Sequence, residues 1–297
     1  MKNMRFIPIS TVAAAVVLLA TSCVKNTLYN TPHPNHGKIA VTVDWSGRGA
    51  GLDLPALWMV SLGDYTGTER SATHAPEQLF TPGEYTLAAW NPMEKIAVAG
   101  TTATVATVPG NGSAARSFIE PRPVWFFTSV QQVQIEKDKD HTFTAVMRQQ
   151  TRELTLVVEP VGDAADRITE IVACLTGAAG TLDFATDTHG TPSNVALDFT
   201  KITSGDDAGK WTATVRLLGV AGTSQQLQGE VRYAEGNPLP TTLTSDLTAA
   251  LKEFNAKKTE PLTLGGTLVE TPEEAEFPGA EINGWEEIES GEVNAEM

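Results

Sequence analysis

The sequence predicts an all-β protein: two β-sandwich domains in tandem, with one short helix late in the chain. Three observations carry this. Apolar and polar residues alternate over short stretches, the period of a strand with one buried face. Clusters of Gly, Pro, Asn and Ser separate those stretches and read as turns. The pattern restarts near Arg148, and the 275 residues left after an N-terminal leader are more than one core usually serves.

The leader comes first. Lys2 and Arg5 precede an uncharged run, Phe6 to Ala20, that ends on small residues just before Cys23. This is the order of a secretory signal peptide, and the run falls short of the roughly 20 residues a membrane span needs. A cysteine directly after Ala20-Thr21-Ser22 resembles a bacterial lipobox, with Leu19 standing one place further out than usual. Cleavage before Cys23, with acylation of its thiol and its new amine, is expected. Each buried CH₂ contributes about 0.8 kcal/mol and one chain alone is marginal, so several chains are needed to hold the protein at a membrane. Residues 1–22 are therefore assigned to the signal peptide. Residues 23–37, polar and containing Pro32 and Pro34, form a lipidated tether.

Residues 38–147 are the expected N-terminal domain. Ile39, Val41, Val43 and Trp45 share one face of its first strand, which Ser46-Gly47-Arg48-Gly49-Ala50-Gly51 ends in an exposed loop. Leu54–Leu62 is a second apolar run. Pro82-Gly83 makes a turn before a strand with Tyr85, Leu87 and Ala89 on one side. Further strands fit 95–99, 101–108, 124–127, 130–135 and 142–147. In the C-terminal domain, 148–288, Leu154, Leu156 and Val158 form a strand closed by Pro160, and Ile168–Leu175 forms another. A turn at Gly177–Gly180 leads to a strand through Leu182 and Phe184. Residues 186–209 show no clear period. Strands follow at 210–218 and 225–233. Leu247, Ala250, Leu251 and Phe254 then fall at helical spacing, with Thr244 or Ser245 as N-cap. Leu262–Val269 is the last regular strand. The final 28 residues hold ten Glu and no Asp, Lys or Arg, with Phe277, Ile282, Trp285 and Ile288 docking them; residues 289–297 are an acidic tail.

Charge and composition exclude several functions. Removal of Lys2 and Arg5 with the leader takes the net charge from −15 to −17, so phosphate backbones and anionic lipid heads are not ligands. Cys174 is the only cysteine left beside the lipidated one, which rules out a disulfide within the chain; in an apolar strand it reads as a small buried hydrophobe. His33 and His36 are a metal pair only on paper, since Pro34 prevents a helix from aligning them and no third ligand is near. Gly205-Asp206-Asp207-Ala208-Gly209-Lys210 lacks the spacing of a phosphate loop and is read as a turn. Asp183, Asp187 and His189 are read as a solvated loop and not a calcium site. No nucleophile elbow is present, and neither an enzyme nor a cofactor nor a metal is expected.

Several fragments together resemble a known family. They are Cys23 followed by His33-Pro34, Gly37 to Ser46, Pro82 to Asn91, Arg148-Gln149-Gln150-Thr151-Arg152-Glu153-Leu154-Thr155-Leu156, Leu175 to Gly180, Leu247 to Asn255 and Ile282-Asn283-Gly284-Trp285. The chain resembles the FimB-type anchor and minor fimbrial subunits of Bacteroidales type V pili. The resemblance implies transthyretin-like sandwiches and a lipid-held protein facing the cell surface. It also implies a fimbrial structural subunit as partner, and a role in fastening or limiting a polymer at the outer membrane. In related subunits a trypsin-like protease cuts after an arginine beyond the first strand and frees a groove for a neighbour's strand. Arg48 stands at that place; the expectation for an anchor is that it stays uncut. The alternatives are a stalk or tip subunit processed at Arg48, or a glycan-binding adhesin. The adhesin would need exposed indoles, whereas Trp45, Trp58, Trp90, Trp125 and Trp211 lie in strand-like stretches that fill cores.

Overall fold

The computed structural model describes residues 32–109, 118–236, 239–270 and 279–288. Cys23, Phe277 and the tail 289–297 lie outside them. The chain runs β1 (Lys38–Gly47), β2 (Trp58–Leu62), β3 (Tyr65–Glu69), β4 (Thr73–His74), β5 (Gly83–Trp90), β6 (Ile96–Ala99) and β7 (Thr102–Val105). It continues with β8 (Thr107–Val108), β9 (Phe118–Ile119), β10 (Phe127–Ile135), β11 (Asp140–Gln149), β12 (Arg152–Val161), β13 (Ile168–Asp183) and β14 (Thr188–Asp198). The last are β15 (Thr200–Lys201), β16 (Trp211–Leu217), β17 (Gln226–Tyr233), β18 (Thr241–Asp246), β19 (Leu262–Glu270) and β20 (Gly279–Glu287).

Two sheets result. The first has the order β3-β2-β5-β10-β11-β1-β4. Its two outermost strands are neighbours in sequence, and Tyr65 Oη lies 2.7 Å from His74 Nε2 across them, so the sheet curls round its own core. That core takes Ile39, Val41 and Val43 from β1, Trp58, Val60 and Leu62 from β2, and Phe127, Ile135 and Met147 from the centre. The period-2 pattern in β1 is thus the buried face it promised. The second sheet has the order β15-β16-β12-β19-β20-β18-β17-β13-β14-β9-β8, with β7 pairing to β13 and β6 to β7. Leu154, Leu156 and Val158 of β12 share its core with Leu175, Leu197, Trp211, Leu243 and Leu264.

The structure departs from the sequence reading in four places. Strands β6 to β9, counted above with the N-terminal half, lie outside the first sheet; β7 pairs with β13 and β9 with β14 in the second. β5 is why: Leu87 and Ala89 enter the first core, but Ala88 and Trp90 enter the second, so this strand is buried on both faces where it leaves its sheet. The glycines at 177–180 do not turn the chain. β13 passes straight through with a bulge between Leu175 and Ala178, Gly177 taking φ +74°. Residues 188–198 of the uninformative stretch are strand β14, whose partner β13 supplies the burial that its polar sequence does not announce. The predicted helix is a run of turns: only Leu251 N–H reaches four residues back, to Leu247, while Phe254 N–H bonds Leu251 three back. Leu247, Leu251 and Phe254 are buried as the spacing required.

Candidate assembly site

Two features of the sequence bear on assembly, Cys23 and Arg48. Cys23 is outside the described residues, but the end of its tether is not. His33 is buried, its Nε2 2.8 Å from Asp140 Oδ1 and its Nδ1 3.2 Å from the carbonyl of His36. Asp138 Oδ1 lies 3.9 Å away. Hydrogen bonding to Asp140 is the largest influence on the ring and raises its pKa above the usual 6.5, with burial opposing. Gly37 then exchanges backbone hydrogen bonds with Phe80, and β1 begins. The two histidines that looked like a metal pair are therefore a docking clamp: one ring is committed to Asp140, the other residue gives its carbonyl.

β1 runs parallel to β11, from Lys38 opposite Asp140 to Gly47 opposite Arg148. On its other side β4 covers only Val41 and Thr42, with one further bond from Val43 N–H to Ala72. Among the described residues no strand pairs with 44–47 on that side. The Arg48 loop follows. Arg48 itself is exposed. Gly49 is buried, and its N–H donates to Gln149 Oε1 at 2.8 Å. Gln149 Nε2 donates in turn to the carbonyls of Thr151 (2.9 Å) and Lys258 (2.6 Å). A Cβ on Gly49 would lie 2.8 Å from the Thr259 carbonyl, closer than real contacts allow, which explains a glycine there. The loop that the glycine density marked as exposed is thus pinned on one side of Arg48 into the seam between the sheets.

That seam opens into a cleft of about 570 Å³. Val130, Val146 and Arg148 line it from the first sheet, and Asp187, Asn255 and Lys258 from the second. Lys258 Nζ bonds Gln150 Oε1 (2.8 Å) and the carboxylate of Asp187, and Gln150 Nε2 donates to Thr128 Oγ1 (2.8 Å). The sequence did not single out Gln149, Gln150 or Lys258. Only the resemblance at Arg148 to Leu156 touched two of them.

The other candidate residues are engaged elsewhere. Asp183 accepts from the N–H of Ala185 and from Thr186, Asp187 pairs with Lys258, and His189 bonds the Leu218 carbonyl. These three do not converge. Gly205–Lys210 is a turn, closed by Ala208 N–H to Gly205 and Lys210 Nζ to Asp207. Cys174 is half-buried in β13. Of the six tryptophans none is exposed: Trp58, Trp90 and Trp211 are buried. Trp45, Trp125 and Trp285 are half-covered; Trp45 meets Phe127 edge-on and the Arg216 guanidinium lies 3.9 Å over Trp125. Among the described residues no helix is long and apolar enough to cross a membrane.

Residues 63–266 match the family model of fimbrillin-A associated anchor proteins Mfa1 and Mfa2. Among solved structures, a proposed adhesin of Bacteroides ovatus superposes with a TM-score of 0.57 at 15% identity, covering 87% of this chain and 95% of its own. The fimbrial anchor protein Mfa2 of Porphyromonas gingivalis superposes with 0.53 at 14% identity, covering 85% and 97%. No curated protein sequence matches. At these identities the superpositions establish the fold.

Proposed function

Because this chain belongs to the family of fimbrillin-A associated anchor proteins, we propose that it fastens or terminates a pilus at the outer membrane. Acyl chains on Cys23 hold it there, and a fimbrial structural subunit joins it by adding a strand to an open sheet edge. The family is a structural one; this chain carries no catalytic role. Strand addition draws affinity from main-chain hydrogen bonds and register from alternating side-chain pockets, and the uncovered edge of β1 at residues 44–47 offers such a template.

The observation that carries the anchor role, against that of a polymerising subunit, is the burial of Gly49. A protease needs extended, accessible backbone on both sides of the bond it cuts. Here the residue after Arg48 is clamped by Gln149 and walled by Thr259. A cut there would separate Cys23 and β1 from everything else, and the chain keeps them joined. Gene deletion tests this. Detached or abnormally long fimbriae are expected; absent fimbriae would make the protein a stalk subunit, and normal fimbriae with lost adhesion a tip subunit or adhesin.

A further inference from the structure

The cleft at the seam has the wrong charge for this molecule. The chain carries 36 Asp and Glu against 21 Lys and Arg. Yet the cleft is lined by Arg148 and Lys258 with Asp187 as its one acid, and exposed Arg48 stands beside its lining residue Gly47. Lys258 and Asp187 neutralise each other. Arg148 is exposed and has no ion-pair partner among the described residues. Val130 and Val146, the latter 39% exposed, give the cleft an apolar floor. A polar groove with an unbalanced cation and apolar floor suits an extended peptide bearing carboxylates.

The course of β20 indicates which one. β20 runs antiparallel to β19, with Glu287 opposite Leu264, and Ile288 N–H donates to the Thr263 carbonyl at 3.0 Å. Beyond Thr263 the facing backbone leaves the strand at Pro261 and closes a turn, Glu260 N–H to the Lys257 carbonyl at 3.1 Å, whose Lys258 and Thr259 line the cleft. Five extended residues cover about 17 Å, enough to pass from the level of Thr263 to that of Lys258. The nine residues after Ile288 include Glu289, Glu292 and Glu296, no cation, and an apolar Val293.

We propose that the acidic segment 289–297 occupies the cleft of its own chain, its glutamates facing Arg148 and Arg48 and covering the Arg48 loop. The proposal does not depend on the anchor role. It is tested with a chain ending at Ile288 and a synthetic peptide of residues 289–297. At low salt the peptide should bind the shortened chain and bind the full chain at least tenfold more weakly, because the site is already filled. Arg148→Glu in the shortened chain should weaken binding tenfold or more, whereas Arg70→Glu, on the β3–β4 turn, should not. Carbodiimide treatment of the full chain should join Lys258 to Glu289 or Glu292 within one molecule. No binding to the shortened chain, or equal binding to both chains, would overturn the proposal; equal binding would mark the cleft as open to an acidic partner. Cross-links found only between molecules would overturn it in favour of a second copy.

Discussion

Arg152 is 3% exposed, yet no carboxylate is paired with its guanidinium among the described residues. It donates to the carbonyls of Glu260 (2.6 Å) and Phe254 (3.0 Å) and lies 4.9 Å over the Phe254 ring. Burial lowers its pKa, and the carbonyls keep the charge tolerable. The Phe254 carbonyl belongs to the run of turns at 247–256 and that of Glu260 stands just before β19, so one side chain of β12 ties down both. Arg152→Ala strands these acceptors in a dry site and should cost roughly 3 kcal/mol, read as a lower urea midpoint with unchanged m. Arg152→Lys should recover less than half, having no fork to span two carbonyls. His33 makes a second residue-scale prediction. Its folded pKa is raised above the unfolded 6.5, so the stability it contributes is complete below about pH 6.5 and lost as pH climbs through the folded value. The hydrogen bond to Asp140 favours the cation and burial opposes it. Hydrogen exchange of residues 36–38 should be slower at pH 6 than at pH 8 after correction for the intrinsic rate, and Asp140→Asn should abolish the difference. Neither partner was legible from sequence: His33 and Asp140 are 107 residues apart, Arg152 and Phe254 102. Only the fold joins them.

At the scale of elements, strands with one wet face were readable and strands buried on both faces were not. The strand read at Ile39–Trp45 lies inside β1, and those read at 210–218 and 225–233 match β16 and β17 closely, because water on one side writes an alternation into the sequence. β5 hid its second buried face in small residues, and β14 hid behind Thr, Gly and Ser. Glycine misled twice. At 177–180 it marks a bulge and not a turn, and at 46–51 density of glycine reflects close approach to Thr259 as much as exposure. The Arg48 loop gives the element-scale prediction. Gln149→Ala removes the acceptor for Gly49 N–H and two donated bonds. Limited trypsin digestion of this variant should cut after Arg48 about tenfold faster than in the parent. Terminal sequencing would show Gly49 as the new first residue. An unchanged rate would mean that the clamp does not guard the bond. Gly49→Ala, which forces the Thr259 wall aside, should act in the same direction.

For the whole molecule, composition and period were enough to give an all-β chain with two cores; the lipid anchor proposed from the order Ala20–Cys23 is tested by substitution. Cys23→Ser should leave a form that fractionates without detergent; persistence in the membrane fraction would place the attachment elsewhere. What sequence could not show is that the cores are interleaved, since the pairing of β7 with β13 and of β9 with β14 depends on which sheet edges happen to be vacant. The interleaving has a mechanical consequence. The backbone passes between the sheets three times, after β5, after β9 and after β11. A pull applied between the two sheets is shared by these three connections, with Gln149 and Gln150 bonded to Lys258 across the same gap. There is no single linker to swivel or stretch. Under tension the two halves must yield together and not as separate domains. From His33 onward the described protein transmits force as one unit.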